Sequence, residues 1–264
     1  MDISYGAPVN VSYFTIKCIP ADNTRQKLLD YKINIEPEHR KSEDRDSFGT
    51  RQVYGAVEVP HDRFSYEITG TMEMTGADYE EETEPEKVYL FRHSYGFNKA
   101  GDSIKEYFQK IAQEMNPEMT GTAYNKAEFL MHRLYRDFAY EPGSTDLMTG
   151  AEEAWKLGRG VCQDYAHIFT ALAHLAGIPC RYVAGMIEGE GASHAWAEIY
   201  DAERGRWYGF DPTNDIAVSD RHIKLGHGRD ASDCHINRGL IKSSVWSSAA
   251  QEQHISVSVR EISG

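Results

Sequence analysis

Residues 158–167 have the sequence GRGVCQDYAH, which places Cys162 directly after a glycine turn and at the start of a predicted helix. Apolar residues then recur at the spacing of a helix with one buried face, namely Tyr165, Ile168, Phe169, Leu172, Leu175 and Ala176. Unpaired N–H groups and the helix dipole favour a thiolate at such a position, and a neighbouring imidazolium does so more strongly. Position alone therefore favours Cys162 as a nucleophile. Most cysteines, however, are small buried hydrophobic residues. The residues downstream must therefore decide whether Cys162 is a nucleophile or a core residue.

A histidine and an aspartate follow at the ends of two predicted strands. His194 opens the alternating run SHAWAEIY at residues 193–200, and WYGF at 207–210 predicts a second strand. Pro212 ends that strand and leaves Asp211 at its tip. A cysteine nucleophile, a histidine base and a carboxylate that orients the imidazole form a catalytic triad. We therefore predict that Cys162, His194 and Asp211 converge on one cleft.

The segments GVCQDYAH, SHAWAEIY and GFDPTN together resemble the transglutaminase-like superfamily, in particular its bacterial branch of candidate cysteine proteases. The likeness extends to FAY at 138–140 and Thr145 upstream, and to HI at 222–223, GRD at 228–230, Asp233 and SVSV at 256–259 downstream. The resemblance implies that Cys162 is the nucleophile, that His194 is the general base and acid, and that Asp211 orients His194. It also implies a β-sandwich in front of the catalytic domain.

The pattern along the chain predicts an α+β protein of two parts. Strand-like runs at 9–19, 26–35, 52–59 and 64–74 are followed by helical patterns at 102–115, 129–138 and 151–157. The charged segments Glu36–Asp46 and Asp78–Glu86 predict a solvated hairpin connection and a solvated linker. We expect an N-terminal antiparallel β-sandwich over residues 1–85. Over residues 86–264 we expect a papain-like, transglutaminase-like catalytic domain with its catalytic helix packed on an antiparallel sheet.

Four further residues are candidates for substrate binding or for the oxyanion site. Tyr140 could supply a second oxyanion donor beside the cysteine N–H or form a substrate wall, with burial against the sheet as the alternative. Gln163 is a weaker oxyanion candidate, because its place next to the cysteine on a helix turns it away. Asp164 suits the first helical turn, so a structural role comes before contact with a substrate amine. Trp196 shares a strand face with His194 and could shield its hydrogen bond to the carboxylate, or simply pack in the core.

Other histidines and cysteines favour structural roles. His167 lies about 140° around the helix from Cys162, which predicts packing or hydrogen bonding rather than catalysis. Residues of metal-ligating types also occur without the paired spacing of a zinc site, and they are His222, His227, Cys234 and His235. We predict a loop at the rim of the active site there, and neither a metal nor a cofactor.

Length and charge are consistent with a globular enzyme. The chain has 264 residues and a formal net charge of −13, which argues against nucleic acid and anionic membranes as partners. Its 4 cysteines show no paired spacing, which favours reduced thiols. No basic-then-apolar leader is evident, so we expect a cytoplasmic location. The oligomeric state stays open.

The predicted chemistry is acyl transfer through a thioester. We expect a cysteine-type peptidase or amidase that hydrolyses peptide or isopeptide amides in peptide or protein substrates. Crosslinking to an amine, as by a protein-glutamine gamma-glutamyltransferase, uses the same catalytic residues and is the alternative. A binding module that keeps the fold without the chemistry is the alternative from another class.

Overall fold

The computed structural model describes residues 1–116, 121–242 and 251–262, and shows a mixed fold of mostly antiparallel sheets and a few helices. The strands are β1 (Asp2–Val9), β2 (Val11–Ile16), β3 (Gln26–Glu36), β4 (Arg40–Arg45), β5 (Arg51–Val57), β6 (His61–Met74), β7 (Tyr79–Glu81), β8 (Ala139–Tyr140), β9 (Arg159–Gly160), β10 (Cys180–Ile187), β11 (Gly189–Gly191), β12 (His194–Asp201), β13 (Arg206–Asp211), β14 (Ile216–Ala217), β15 (His222–Gly228), β16 (Asn237–Lys242), β17 (Gln251–His254) and β18 (Val257–Val259). The helices are α1 (Asp102–Ala112), α2 (Ala123–Asp137), α3 (Ala151–Leu157) and α4 (Cys162–Leu175), with 3-10 helices at Pro85–Phe91 and Gly96–Asn98. Within the described ranges, no helix has the length and apolar character needed to cross a membrane.

Two antiparallel sheets form the N-terminal part. Their strand orders are β17-β1-β6-β3 and β16-β2-β5-β4. Alternate side chains point inward from both sheets, for example Ile3 and Tyr5 from β1, and Phe14 and Ile16 from β2. These side chains meet in a single hydrophobic cluster, which explains why the strands carry the alternating pattern of half-buried sheets.

Each N-terminal sheet includes a strand from the far end of the described chain. Asp2 of β1 pairs with His254 of β17, and Tyr13 of β2 pairs with Leu240 of β16. The division of the chain at residue 85 stays a prediction. The structure adds that residues on both sides of that division build the N-terminal sheets.

Two charged segments are more ordered than the sequence suggested. The expected connection Glu36–Asp46 contains β4, an exposed strand that pairs with β5. Its charges suit the edge of a sheet, where they discourage pairing with another chain. The expected solvated linker Asp78–Glu86 contains β7, which pairs with β13. Glu80 of β7 is anchored by Arg181 and Lys224, so the linker interpretation was wrong for this strand.

The site lies in a second part built around the sheet β14-β13-β12-β10-β15, with β7 added beside β13. Helix α4 packs on this sheet, where its residues Phe169 and Leu172 share a core with Ile199 and Phe210 of the strands. The predicted helix start at Cys162 is confirmed.

Helix α1 begins at Asp102, as the helical pattern from residue 102 predicted, and its N-cap residue Gly101 has no side chain to satisfy the free N–H groups. The carboxylate of Glu152 in α3 accepts hydrogen bonds from the backbone N–H groups of Ser103 at 3.0 Å and Ile104 at 3.2 Å instead. A residue distant in sequence thus satisfies the free donors of this helix.

Candidate active site

Cys162 stands at the first position of α4 and is half buried. The hydrogen bonds of the helix begin where the N–H groups of Asp164 and Tyr165 donate to the carbonyl of Val161, at 2.9 and 3.1 Å. The N–H groups of Cys162 and Gln163 precede this point, as the first donors of a helix do. The thiol therefore lies beside backbone dipoles that attract negative charge.

Asp164 fixes the start of α4. Its Oδ2 accepts hydrogen bonds from the Val161 N–H at 2.7 Å and from Oγ1 of Thr145 at 2.6 Å. It packs on Gly160, where a Cβ atom would lie 2.5 Å from Oδ2. Burial raises the pKa of Asp164. Because Asp164 is fully buried, contact with a substrate amine is excluded and the structural role is the one observed.

His194 links the cysteine to the buried aspartate. Its Nε2 lies 2.7 Å from Oδ2 of Asp211, and Cys162 lies close enough to the ring to contribute to its raised pKa. Since Nε2 faces Asp211, Nδ1 is the nitrogen available to the thiol. Burial lowers the pKa of His194, but the hydrogen bonds to Asp211 and Cys162 and their charges outweigh it and raise the pKa to about 10.

Asp211 is fully buried at the end of β13 and is held on both oxygens. Oδ1 accepts from the backbone N–H groups of Thr213 at 3.1 Å and Asn214 at 3.3 Å. Oδ2 accepts from Nδ2 of Asn214 at 2.7 Å as well as from His194. Burial raises the pKa of Asp211, but these hydrogen bonds and one from His222 hold the pKa well below its ordinary value. The carboxylate therefore stays charged.

His222 is a member of this site that sequence reasoning placed at the rim. Its Nδ1 accepts from the backbone N–H of Ser219 at 3.2 Å, so Nε2 carries the proton and donates to Oδ2 of Asp211 at 3.2 Å. The side chain is 1% exposed. The sequence did contain a signal for this contact. Only a short segment separates Asp211 from β15, and His222 is the first residue of that strand.

Trp196 supports the pair from the side. Its ring lies over Gly185, where a Cβ atom would come within 2.2 Å of the indole. The ring centroid lies 5.4 Å from that of His222 and 6.2 Å from that of His194. Trp196 is fully buried beside the two imidazole groups, and its shielding of the hydrogen bond between His194 and the carboxylate stays a prediction.

Tyr140 and Gln163 both lie beside the cysteine, but their side chains have different surroundings. Tyr140 is 56% exposed and pairs with Gly160 through β8 and β9, which excludes the buried alternative. Partial burial and the charge of Cys162 raise the pKa of Tyr140. Gln163 donates from Nε2 to the carbonyl of Leu147 at 3.4 Å, so its side chain is directed to the loop before α3 and not to the triad.

The four residues of metal-ligating types considered above do not form one cluster. Nε2 of His227 lies 3.3 Å from Nη1 of Arg181, whereas His235 hydrogen-bonds to a backbone carbonyl three residues earlier at 2.7 Å. Cys234 is buried in an apolar cluster with Cys162 at its edge. His167 is fully buried and accepts from a backbone N–H at 3.1 Å, so it serves packing and hydrogen bonding.

A different set of metal-ligating types does converge within the described ranges. One ligand atom each from His194, Asp211 and His222 all lie within 4.8 Å of one another. Hydrogen bonds already occupy these atoms, and a metal would have to displace protons from both imidazoles. The expectation of no metal stays a prediction.

A buried ion network holds the strand that carries His194. Glu198 of β12 accepts from Nε of Arg181 at 2.7 Å and from Nζ of Lys224 at 2.7 Å. Glu80 of β7 contacts the same two cations at 2.9 and 2.8 Å. Burial raises the pKa of Glu198, but the two cations outweigh it and lower the pKa. The guanidinium of Arg181 also lies 4.1 Å from the ring centroid of Trp207.

Comparison with protein families gives two matches. Residues 109–212 match the model of the transglutaminase-like superfamily core. Residues 1–73 match the bacterial transglutaminase-like N-terminal region. The first match contains Cys162, His194 and Asp211, and the second covers most of the N-terminal strands.

Individual proteins give a consistent result. An uncharacterised protein of Mycobacterium tuberculosis is 28% identical over 267 residues, covering 90% of this chain and 84% of its own length. Chicken peptide-N(4)-(N-acetyl-beta-glucosaminyl)asparagine amidase is 28% identical over 81 residues, which cover 31% of this chain and 12% of the amidase. The crystal structure of a candidate cysteine protease from Cytophaga hutchinsonii has a TM-score of 0.73 and 24% identity, and covers 100% of this chain and 90% of that one. This last likeness shows a shared fold.

Proposed function

Because the chain belongs to the transglutaminase-like superfamily, we propose that it is a cysteine-dependent acyl-transfer enzyme that hydrolyses peptide or isopeptide amide bonds. The observation that carries the proposal is the position of His194, whose Nε2 lies 2.7 Å from the buried carboxylate of Asp211 and whose pKa both Asp211 and Cys162 raise. This is the arrangement of nucleophile, base and orienting group that activates a thiol. The sequence had already pointed to the same three residues.

The first half of the reaction forms a thioester. The thiolate of Cys162 attacks the amide carbonyl carbon, and the carbonyl oxygen becomes an oxyanion. His194 then gives its Nδ1 proton to the amide nitrogen, the C–N bond breaks, and the amine leaves. Asp211 stabilises the imidazolium before this proton moves and holds the ring in the required orientation.

The oxyanion needs donors close to the sulfur. The backbone N–H of Cys162 is the first, because it lies ahead of the intrahelical hydrogen bonds. The hydroxyl of Tyr140 is the candidate for the second, since Tyr140 is exposed beside Gly160 and feels the charge of Cys162. Phenol is a hydrogen-bond donor at neutral pH, and the raised pKa of Tyr140 keeps it so.

In the second half of the reaction, we favour water as the acceptor of the acyl group. Tyr140 is 56% exposed and Leu147 is 73% exposed, so solvent reaches the entrance to the site. Water attacks the thioester carbonyl and gives a proton to His194. The C–S bond then breaks, which releases a carboxylic acid and restores the Cys162 thiolate beside the protonated His194. Transfer to an amine needs a site from which water is excluded. The partial likeness to a protein named as an asparagine amidase agrees with amide chemistry.

We also propose that the substrate is a peptide or protein that carries the amide, and that the enzyme is cytoplasmic. We interpret the two N-terminal sheets, which share one hydrophobic cluster, as the expected β-sandwich.

The test is selective alkylation of the thiol. Wild type and His194→Ala are treated briefly with limiting iodoacetamide at neutral pH, and intact-mass spectrometry with peptide mapping locates the label. We expect Cys162 to react fast in the wild type and slowly in His194→Ala. The other cysteines serve as internal controls, since burial raises the pKa of Cys18 to about 11, of Cys180 to about 12, and of Cys234 well above its ordinary value.

Slow and unselective labelling of the wild type would remove the proposal and leave the binding-module alternative. After fast labelling, amides and amines are screened with the wild type and Cys162→Ala. Turnover by Cys162→Ala would show that another residue is the nucleophile. Products that incorporate an added amine in place of water would establish the crosslinking alternative.

A further inference from the structure

Two adjacent apolar side chains project into solvent from the loop between β8 and α3. Leu147 and Met148 are 73% and 71% exposed. Single exposed apolar residues are common, but a neighbouring pair on a loop at a reactive cysteine needs an explanation. We call residues 140–149 the rim loop.

The rim loop is attached to α4 at several points. The Glu141 N–H donates to the carbonyl of Gly160 at 2.9 Å, which brings the start of the loop alongside the residues before Cys162. The hydroxyl of Thr145 donates to the buried carboxylate of Asp164 at 2.6 Å. These contacts place the loop at the nucleophile.

The two apolar residues sit on a hydrogen-bonded turn. Oδ1 of Asp146 accepts from the Met148 N–H at 2.8 Å and from the hydroxyl of Thr149 at 3.1 Å. Gln163, next to the nucleophile, holds the Leu147 carbonyl at 3.4 Å. The backbone is thus fixed while the side chains of Leu147 and Met148 point outward. Because the backbone of this surface is already fixed, binding a ligand there loses little conformational entropy.

The charges of the rim loop are already engaged. Glu141 pairs with Arg159 at 3.3 Å, and Asp146 is used in its own turn. Beside these paired charges, the loop offers a substrate the apolar side chains of Leu147 and Met148 and the Tyr140 ring.

We infer that Leu147 and Met148, together with Tyr140, receive an apolar side chain of the substrate beside the amide carbonyl that Cys162 attacks. This inference rests on the proposed function and adds the substrate class to it. Covering these side chains removes apolar surface from water, which favours an apolar residue over glycine or a charged residue. The enzyme then selects amides flanked by residues such as leucine.

The test compares active-site-directed probes that differ in one side chain. The probes are the chloromethyl ketones of N-acetyl-leucine, N-acetyl-glycine and N-acetyl-glutamate. The Cys162 thiolate displaces chloride from each, forming an S–C bond, and mass spectrometry gives the rate. We expect the leucyl probe to label Cys162 of the wild type about tenfold faster than the other two. In Leu147→Ser/Met148→Ser, the ratio of leucyl to glycyl rates should fall to about one.

Leu240→Ser is the matched control, because Leu240 is 74% exposed on β16 and pairs with Tyr13 in an N-terminal sheet. It should keep the wild-type ratio. Equal rates with all three probes in the wild type, or an unchanged ratio in the double variant, would overturn the inference. Failure of the proposed function is distinguishable, since wild-type Cys162 would then react slowly with iodoacetamide, which carries no side chain. Circular dichroism confirms that each variant is folded.

Discussion

His222 donates a hydrogen bond from Nε2 to Oδ2 of Asp211 at 3.2 Å, and the same oxygen lies 2.7 Å from Nε2 of His194. The two imidazoles therefore share one carboxylate oxygen. His222 is held in turn by the backbone N–H of Ser219, which fixes its tautomer. We infer that His222 positions Asp211 and acts on His194 through it.

Replacing His222 should weaken the site without removing it. For His222→Leu we expect alkylation of Cys162 by iodoacetamide to slow about tenfold, the scale of effect for outer hydrogen-bond partners at other sites. His222→Gln retains an N–H donor and should recover part of the rate. The measurement is the labelling rate across pH. His93→Gln, at an exposed histidine, should match the wild type. Equal losses in the leucine and glutamine variants would indicate packing alone.

Asp211→Asn should lower the pKa of His194. In the wild type, hydrogen bonds and charges outweigh burial and raise this pKa to about 10. Without the carboxylate charge, burial has more weight, so the pKa should move toward or below 6.5. NMR titration of the imidazole resolves the change. Labelling of Cys162 should also fall by about a hundredfold or more because the amide holds the wrong tautomer. An unchanged pKa of His194 in Asp211→Asn would show that the charge of Asp211 does not stabilise the imidazolium.

The stability of the protein should depend on pH through His194. Its pKa is about 10 in the folded state and 6.5 in the reference state, so the folded protein binds this proton more tightly. The stabilisation is complete below pH 6.5 and is lost as pH rises toward about 10. The free energy of unfolding of the wild type relative to His194→Gln should therefore decrease across this window. Urea titrations at several pH values measure the difference, and a pH-independent difference would contradict the prediction.

Glu198→Gln should destabilise the fold strongly. The variant removes one of the two carboxylates that neutralise buried Arg181 and Lys224. Breaking a buried ion pair on one side costs about 3–5 kcal/mol. Glu188→Gln is the control, since Glu188 pairs with Arg221 at the surface and such pairs contribute about 0–1 kcal/mol. Urea denaturation compares the two, and similar small losses in both variants would show that the network is dispensable.

Local patterns predicted much of the site. The helical spacing after Cys162 predicted the start of α4, and the alternation after His194 and the proline after Asp211 predicted two strand ends. In each case the signal lies within a few residues of the feature. The succession of strand-like and helical runs along the chain predicted the mixed fold, whereas the β-sandwich was implied by the family resemblance.

Contacts between distant segments could not be read in the same way. Glu152 caps α1 from another helix, and Glu80 is partly buried because it pairs with Arg181 and Lys224 of the sheet. From sequence alone, a run of charged residues predicts exposure to solvent, because the partners that would bury it are distant in the chain. His222 joins Asp211 only because β15 returns to the sheet beside β10.

The pairing of β1 with β17 and of β2 with β16 has a consequence for biosynthesis. A ribosome releases residues 1–74 long before Leu240 and His254 are made, so both N-terminal sheets wait with one edge open during translation. Such edges attract other strands and chaperones. A fragment that stops at residue 85 would leave β1 and β2 as exposed edge strands permanently, whereas in the full chain β17 and β16 pair with them.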